Sequence, residues 1–158
     1  MPHHFISYST ADGQQFALQL ADALEAGPPQ HPTWLDHRRL QPDDDWDAQI
    51  DQAIRRCDGL IFVMTPDSVE DASVCKDEWV QALKFKKPLA LVRAHRDAEL
   101  PFRLGSRQYI DFTADFDTGL ARLRRYLQYL NTDEGRLHVL RERLSDATRD
   151  LRRAGEHD

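Results

Sequence analysis

Leu60-Ile61-Phe62-Val63-Met64 decides the fold: an unbroken apolar run, entered through Asp58-Gly59 and left through Thr65-Pro66. A short apolar run bounded by turn residues suits a strand, and one without polar alternation suits the centre of a parallel sheet covered on both faces. Upstream, Trp46, Ile50, Ala53 and Ile54 recur at helical spacing; downstream, Cys75, Trp79, Ala82 and Leu83 do the same. The central strand is thus expected between two helices.

The same alternation extends to both sides. His4-Phe5-Ile6-Ser7-Tyr8 is aromatic and β-branched and predicts a first strand. Ser9-Thr10-Ala11-Asp12 then resembles a helix cap ahead of Phe16, Leu20, Ala23 and Leu24, and Gly27-Pro28-Pro29 stops that helix. Thr33-Trp34-Leu35-Asp36 reads as a second strand ending on an acid, followed by a polar loop from His37 to Asp45. Leu89-Ala90-Leu91-Val92 and the segment from Gln108 to Phe112 supply the last strands, and Phe116, Leu120, Leu123, Leu127 and Leu130 a closing helix. Strands alternating with helices imply right-handed βα units, and the expected fold is α/β: a flavodoxin-like doubly wound parallel sheet of about five strands. Ligands of such sheets sit at the carboxyl ends of the strands, which directs attention to the loops after Tyr8, Asp36 and Thr65.

With 158 residues the chain accommodates one ordinary domain, expected over residues 1–131, and a helical extension over 132–158. In that extension Leu137, Leu140, Leu144, Ala147 and Leu151 follow a heptad seam. Docking back on the domain, coiled-coil self-association and a link to a further domain after residue 158 all remain open for it. No apolar run approaches the roughly 20 residues that span a bilayer, and Met1-Pro2-His3-His4 lacks a signal-peptide layout, so a soluble cytoplasmic protein without a membrane partner is expected. A net charge of −6 argues against a nucleic-acid partner but permits a small anionic ligand. Cys57 and Cys75 lie in apolar helix patterns and read as buried thiols; the seven histidines are scattered, and no metal site is expected. Asp43-Asp44-Asp45 lacks the glycine and distal glutamate of a calcium loop and reads as helix capping.

Fold alone does not give function. A response-regulator receiver needs an acid pair, a phosphoacceptor Asp and a Lys where this chain has Ser7 to Thr10, Met64 to Pro66 and Phe112 to Ala114. Neither GxGxxG nor GxxxxGK[ST] occurs, so dinucleotide binding of the Rossmann or P-loop kind is not indicated.

Taken in order, Phe5-Ile6-Ser7-Tyr8-Ser9, Trp34-Leu35-Asp36, Leu40-Gln41-Pro42 with Trp46, Ala53-Ile54 with Cys57-Asp58, Phe62 to Pro66, and Ser73-Val74-Cys75 with Glu78 resemble TIR (Toll/interleukin-1 receptor) domains of the bacterial type, over about residues 4 to 130. The resemblance implies a self-associating module of immune or defence signalling. It also implies, for the catalytic subset, hydrolysis of the nicotinamide–ribose bond of NAD, which is substrate rather than cofactor, with Glu78 as the essential carboxylate. Tyr8, Ser9 and Thr10 after the first strand, Asp36 and Arg39 after the second, and Val74 then form the expected substrate rim. Partners implied are NAD and other TIR domains; the alternative is a non-catalytic interaction module.

The residues support Glu78 separately. At about 100° per residue it lies roughly 60° from Cys75 and borders the apolar stripe, where a carboxylate can face a cleft. The competing reading is a solvated Glu favoured by the helix dipole. For Ser9 and Thr10 the competing reading is helix capping, and for Asp36 loop hydrogen bonding. Two departures from the family stand out: Val74 replaces the Trp common one turn before the Glu, removing an aromatic face, and Asp43 replaces the Gly usual after Pro42.

Overall fold

The computed structural model describes residues 3–35, 46–105 and 107–156, with the side chains of Trp46 and Glu156 left aside. Asp36, Arg39, the rest of the polar loop to Asp45, and the indole of Trp46 fall outside the described residues. The elements are β1 (His4–Ser7), α1 (Gln14–Ala26), β2 (Thr33–Trp34), α2 (Trp46–Arg56), β3 (Gly59–Met64), α3 (Val74–Lys84), β4 (Leu89–Arg93), a single 3-10 turn (Phe102–Leu104), β5 (Ile110–Asp111), α4 (Phe116–Tyr129) and α5 (Asp133–Glu156).

The strands form one sheet in the order β2-β1-β3-β4-β5, parallel throughout. The expected flavodoxin-like architecture is the one observed. All six residues of β3 are buried, because the strand is paired on both sides and covered on both faces. Phe5, Leu60, Phe62, Met64, Leu89 and Leu91 share one face with Ala53, Ile54 and Cys57 of α2 and Cys75, Trp79 and Ala82 of α3. Ile6, Ile61, Val63, Ala90 and Val92 alternate with them, point to the opposite face and are equally buried. The chain steps from β1 outward to β2, then back past β1 to β3. That reversal puts α1 on the face opposite α2 and α3, since both crossovers are right-handed.

On the α1 face, Phe16, Phe112 and Phe116 meet edge-on with ring centroids 5.3 to 5.7 Å apart. Gly119 permits this packing: a Cβ there would stand 2.6 Å from the Phe112 ring. On the other face Trp79, only 1% exposed, stacks on Phe62, and Trp34 stacks on Phe5 at 5.0 Å.

Helix α3 begins at Ser73, whose Oγ accepts the Cys75 N–H at 3.1 Å, and Asp77 in the first turn complements the dipole. It ends in a Schellman turn: Lys87 N–H donates to Ala82 O at 2.9 Å and Lys86 N–H to Leu83 O at 3.0 Å. The left-handed position of that turn is held by Lys86, at φ 62°, where a side chain is disfavoured. Lys86→Gly is therefore expected to stabilise the fold by about 1 kcal/mol, read as a higher urea midpoint at unchanged m-value.

Three local expectations are corrected. Strands two and five are two residues each, not four or five, because each sheet-edge strand is bonded on one side only. Ser9 and Thr10 do not cap α1: the cap position is Gly13, with no side-chain hydrogen bond to the helix. Helix α1 instead buries Ala17, Leu20, Ala21 and Leu24.

By its internal contacts the chain divides into Met1–Arg124 and Arg125–Asp158. In the second unit Thr132 caps α5, accepting the Gly135 N–H at 3.0 Å, and the Tyr129 ring meets the His138 ring edge-on at 6.2 Å. Among the described residues no helix is long and apolar enough to cross a membrane.

Candidate functional site

The strand order reverses between β1 and β3, so the crevice at their carboxyl ends is where a doubly wound sheet binds ligands. Two polar networks meet there.

The first joins strand to helix. Ser7, the last residue of β1, lies on the same face as Phe5 and points toward α3. Its hydroxyl donates to Glu78 Oε1 at 2.7 Å across 71 residues of sequence. Ser7 is 1% and Glu78 6% exposed, so a carboxylate is held inside the edge of the core, one residue before the fully buried Trp79. A charge-assisted bond of this kind is short, and it fixes the carboxylate's position. Ser7→Ala leaves that buried acceptor without its hydroxyl partner and is expected to cost about 1–3 kcal/mol in chemical unfolding; Ser7→Thr, which keeps the hydroxyl, is expected to cost less.

The second network ties the loop after β1 to the loop after β3. Thr65 Oγ1 donates to Asp12 Oδ1 at 2.6 Å, and the Asp67 N–H to Asp12 Oδ2 at 2.9 Å. Ser9 Oγ donates to Asp67 Oδ2 and accepts the Ala11 N–H at 3.2 Å. Ser68 braces the turn, its Oγ donating to Val63 O and accepting the Thr65 N–H, each at 2.8 Å. The crevice walls are thus clamped by side chains more than fifty residues apart in sequence.

Of the expected site residues, Glu78 and the Tyr8–Ser9–Thr10 loop come to the same sheet edge. Tyr8 and Ser9 are buried and Thr10 is exposed. The Ser9 hydroxyl is committed to Asp67, which leaves Thr10 as the outward hydroxyl of that pair. Val74, the first residue of α3 and one turn before Glu78, is 68% exposed. Trp79 is buried in a stack with Phe62, and Trp34, half-buried, stacks on Phe5.

Sequence reasoning passed over Ser7, Asp12, Thr65 and Asp67. For Ser7 a signal existed: it is a polar residue at a core-facing position of an apolar strand, which demands a buried partner. A separate cleft of about 480 Å³ opens beyond β4 and β5 between Phe16, Phe112, Phe116 and the segment Ala94 to Asp97, and holds none of the expected site residues.

Both cysteines are buried and neither forms a disulfide, and burial pushes the Cys57 thiol up to about 11. Among the described residues no group of His, Cys, Asp and Glu is placed to hold a metal ion.

The family model described as TIR domain matches residues 5–124. Among solved structures, the TIR domain of the Toll-related receptor TRR-2 from Hydra magnipapillata is similar at a TM-score of 0.66, with 22% identity over 82% of this chain and 98% of that one. A prokaryotic SEFIR domain is similar at 0.58, with 20% identity over 79% of this chain and 97% of that one. A TIR-STING receptor from C. gigas is similar at 0.56, with 20% identity over 75% of this chain and 39% of that one. No curated protein matches the chain.

Proposed function

From the premise that the chain belongs to the TIR domain family, we propose that it is an NAD glycohydrolase, active on self-association, with Glu78 as its catalytic carboxylate. The observation that carries this reading is the Ser7–Glu78 hydrogen bond, which holds a buried carboxylate at the carboxyl edge of the sheet beside its switch point.

The chemistry asks for such a group. Nicotinamide departs with the electron pair of the C–N bond and leaves an oxocarbenium-like ribosyl centre. Water adds to that centre and loses a proton, giving ADP-ribose, nicotinamide and H⁺ from NAD and water. A fixed carboxylate stabilises the cationic centre and holds the ribose hydroxyls by charge-assisted hydrogen bonds. NAD is substrate here, and the reaction as written calls on no other cofactor or metal. Around it, Thr10 and the backbone N–H groups of the Tyr8–Ser9–Thr10 loop suit ribose or phosphate oxygens, with Asp36, Arg39 and Val74 completing the rim. Ser9 acts on the loop, through Asp67, rather than by offering its hydroxyl. The partners proposed are NAD and other TIR domains in a soluble, cytoplasmic setting, with neither nucleic acid nor membrane.

Val74 favours a second reading, a non-catalytic module that only joins TIR partners. Its exposed aliphatic side chain offers no face on which nicotinamide or adenine can stack. The two readings part on nicotinamide release. Concentrated or artificially oligomerised protein is incubated with NAD beside Glu78→Ala: release that depends on assembly and vanishes in the variant supports the enzyme. Self-association without release at any concentration supports the scaffold.

A further inference from the structure

Helix α5 keeps its apolar seam in solvent. Leu137, Leu140, Leu144 and Leu151 are 48%, 53%, 69% and 74% exposed, although they fall at the a and d positions of successive heptads. The buried positions of the helix, Gly135 and Val139, lie off the seam. The heptads continue through Ala147 and Ala154, both exposed. Asp133 and Glu134 open the helix and Arg153 closes it, and Arg136–Asp133 and His138–Glu142 pairs brace its first turns, so the seam is carried by a well-supported helix.

We propose that this seam pairs with the same seam of a second copy of the chain, and that the two α5 helices run antiparallel. Size and charge both select that direction. A parallel pair sets each residue against itself, which places Ala147 on Ala147 and Ala154 on Ala154 and leaves gaps beside the leucine layers. An antiparallel pair sets Leu144 against Ala147, Leu137 against Ala154 and Leu140 against Leu151, so each alanine of the seam meets a leucine and no alanine faces alanine. The flanking charges agree. A parallel pair brings Arg136 beside Arg141 of the second copy, whereas an antiparallel pair brings Arg143 beside Asp150 of the second copy, twice by symmetry. A seam this short gives weak, concentration-dependent association, which suits a device that raises the local concentration of the N-terminal domain rather than a permanent dimer. The proposal stands apart from the NAD chemistry: loss of either leaves the other measurable.

The test is sedimentation equilibrium of the full chain. A monomer–dimer equilibrium is expected, weakened about tenfold or more by Leu144→Lys, a substitution at an exposed position that leaves the domain folded. Asp150→Arg is expected to weaken association, and Arg143→Asp combined with Asp150→Arg to restore it. Direction is read by disulfide trapping: Leu144→Cys mixed with Ala147→Cys is expected to cross-link faster than Ala147→Cys with itself. A chain monomeric at all concentrations, association indifferent to Leu144→Lys, failure of the charge swap to restore it, or faster self-trapping of Ala147→Cys would each overturn the proposal.

Discussion

Between pH 6.5 and pH 4 the folded chain is expected to lose up to about 3 kcal/mol of stability through one imidazole at the start of β1. His4 is lowered from 6.5 to about 4, chiefly by burial and next by the neighbouring charge of His31, whose ring it meets edge-on at 5.8 Å. In the unfolded chain the same imidazole takes up its proton near 6.5. Over this window the unfolded state therefore binds more protons, and stability rises with pH. The contribution is fully present above about 6.5 and is lost as pH falls toward 4. A gap of this size corresponds to about 3 kcal/mol. His31 acts in the same direction, lowered by burial and then by Arg124. Among the described residues His4 Nδ1 is buried without a hydrogen-bond partner, so an apolar ring is an acceptable replacement. Urea unfolding at pH 7 and pH 4.5 should show the drop in the wild-type chain and most of it removed in His4→Phe. An equal drop in both proteins would place the acid sensitivity elsewhere.

The second large effect is on chemistry. Glu78→Gln retains an oxygen that can accept from Ser7 Oγ, so the side chain keeps its tether while losing its charge. If the charge is what stabilises the ribosyl cation, nicotinamide release should fall by at least about a hundredfold. The fold should persist, with a Tm change within about 5 °C. Glu78→Ala is expected to lose both, since it vacates a buried position and strands the Ser7 hydroxyl. Comparing the two substitutions separates the role of the charge from the role of the packing.

What could be read from residues alone follows from how local the cause is. Strand β3 and helix α3 were legible because an unbroken apolar run and a helical stripe are each signalled within a dozen residues. Strands β2 and β5 shortened because their ends depend on pairing with a single neighbour, which no local pattern states. The capping expected of Ser9 failed for a related reason: its hydroxyl is taken by Asp67, 58 residues away, while Thr65 takes Asp12 at a separation of 53. Such pairings belong to the topology and appear only once β1 and β3 lie side by side. Glu78 could be singled out by its place beside the apolar stripe and by family resemblance, but its depth and its tie to Ser7 could not. Ser7 was the missed clue, because the alternation that sends Phe5 into the core sends Ser7 there too.

The two networks also suggest a division of labour. The Asp12–Thr65 and Ser9–Asp67 bonds hold the loops after β1 and β3 in register, and the Ser7 hydroxyl reaches the carboxylate. Rigid walls with one oriented charge are what electrostatic stabilisation of a developing cation requires.

The most direct measurement is nicotinamide released per hour from NAD by the assembled wild-type chain and by assembled Glu78→Gln at matched concentration, with the melting temperature of each sample recorded beside it. Turnover in the wild type and its loss in Glu78→Gln at a closely similar melting temperature is the expected result; turnover that survives the substitution would contradict the assignment of Glu78.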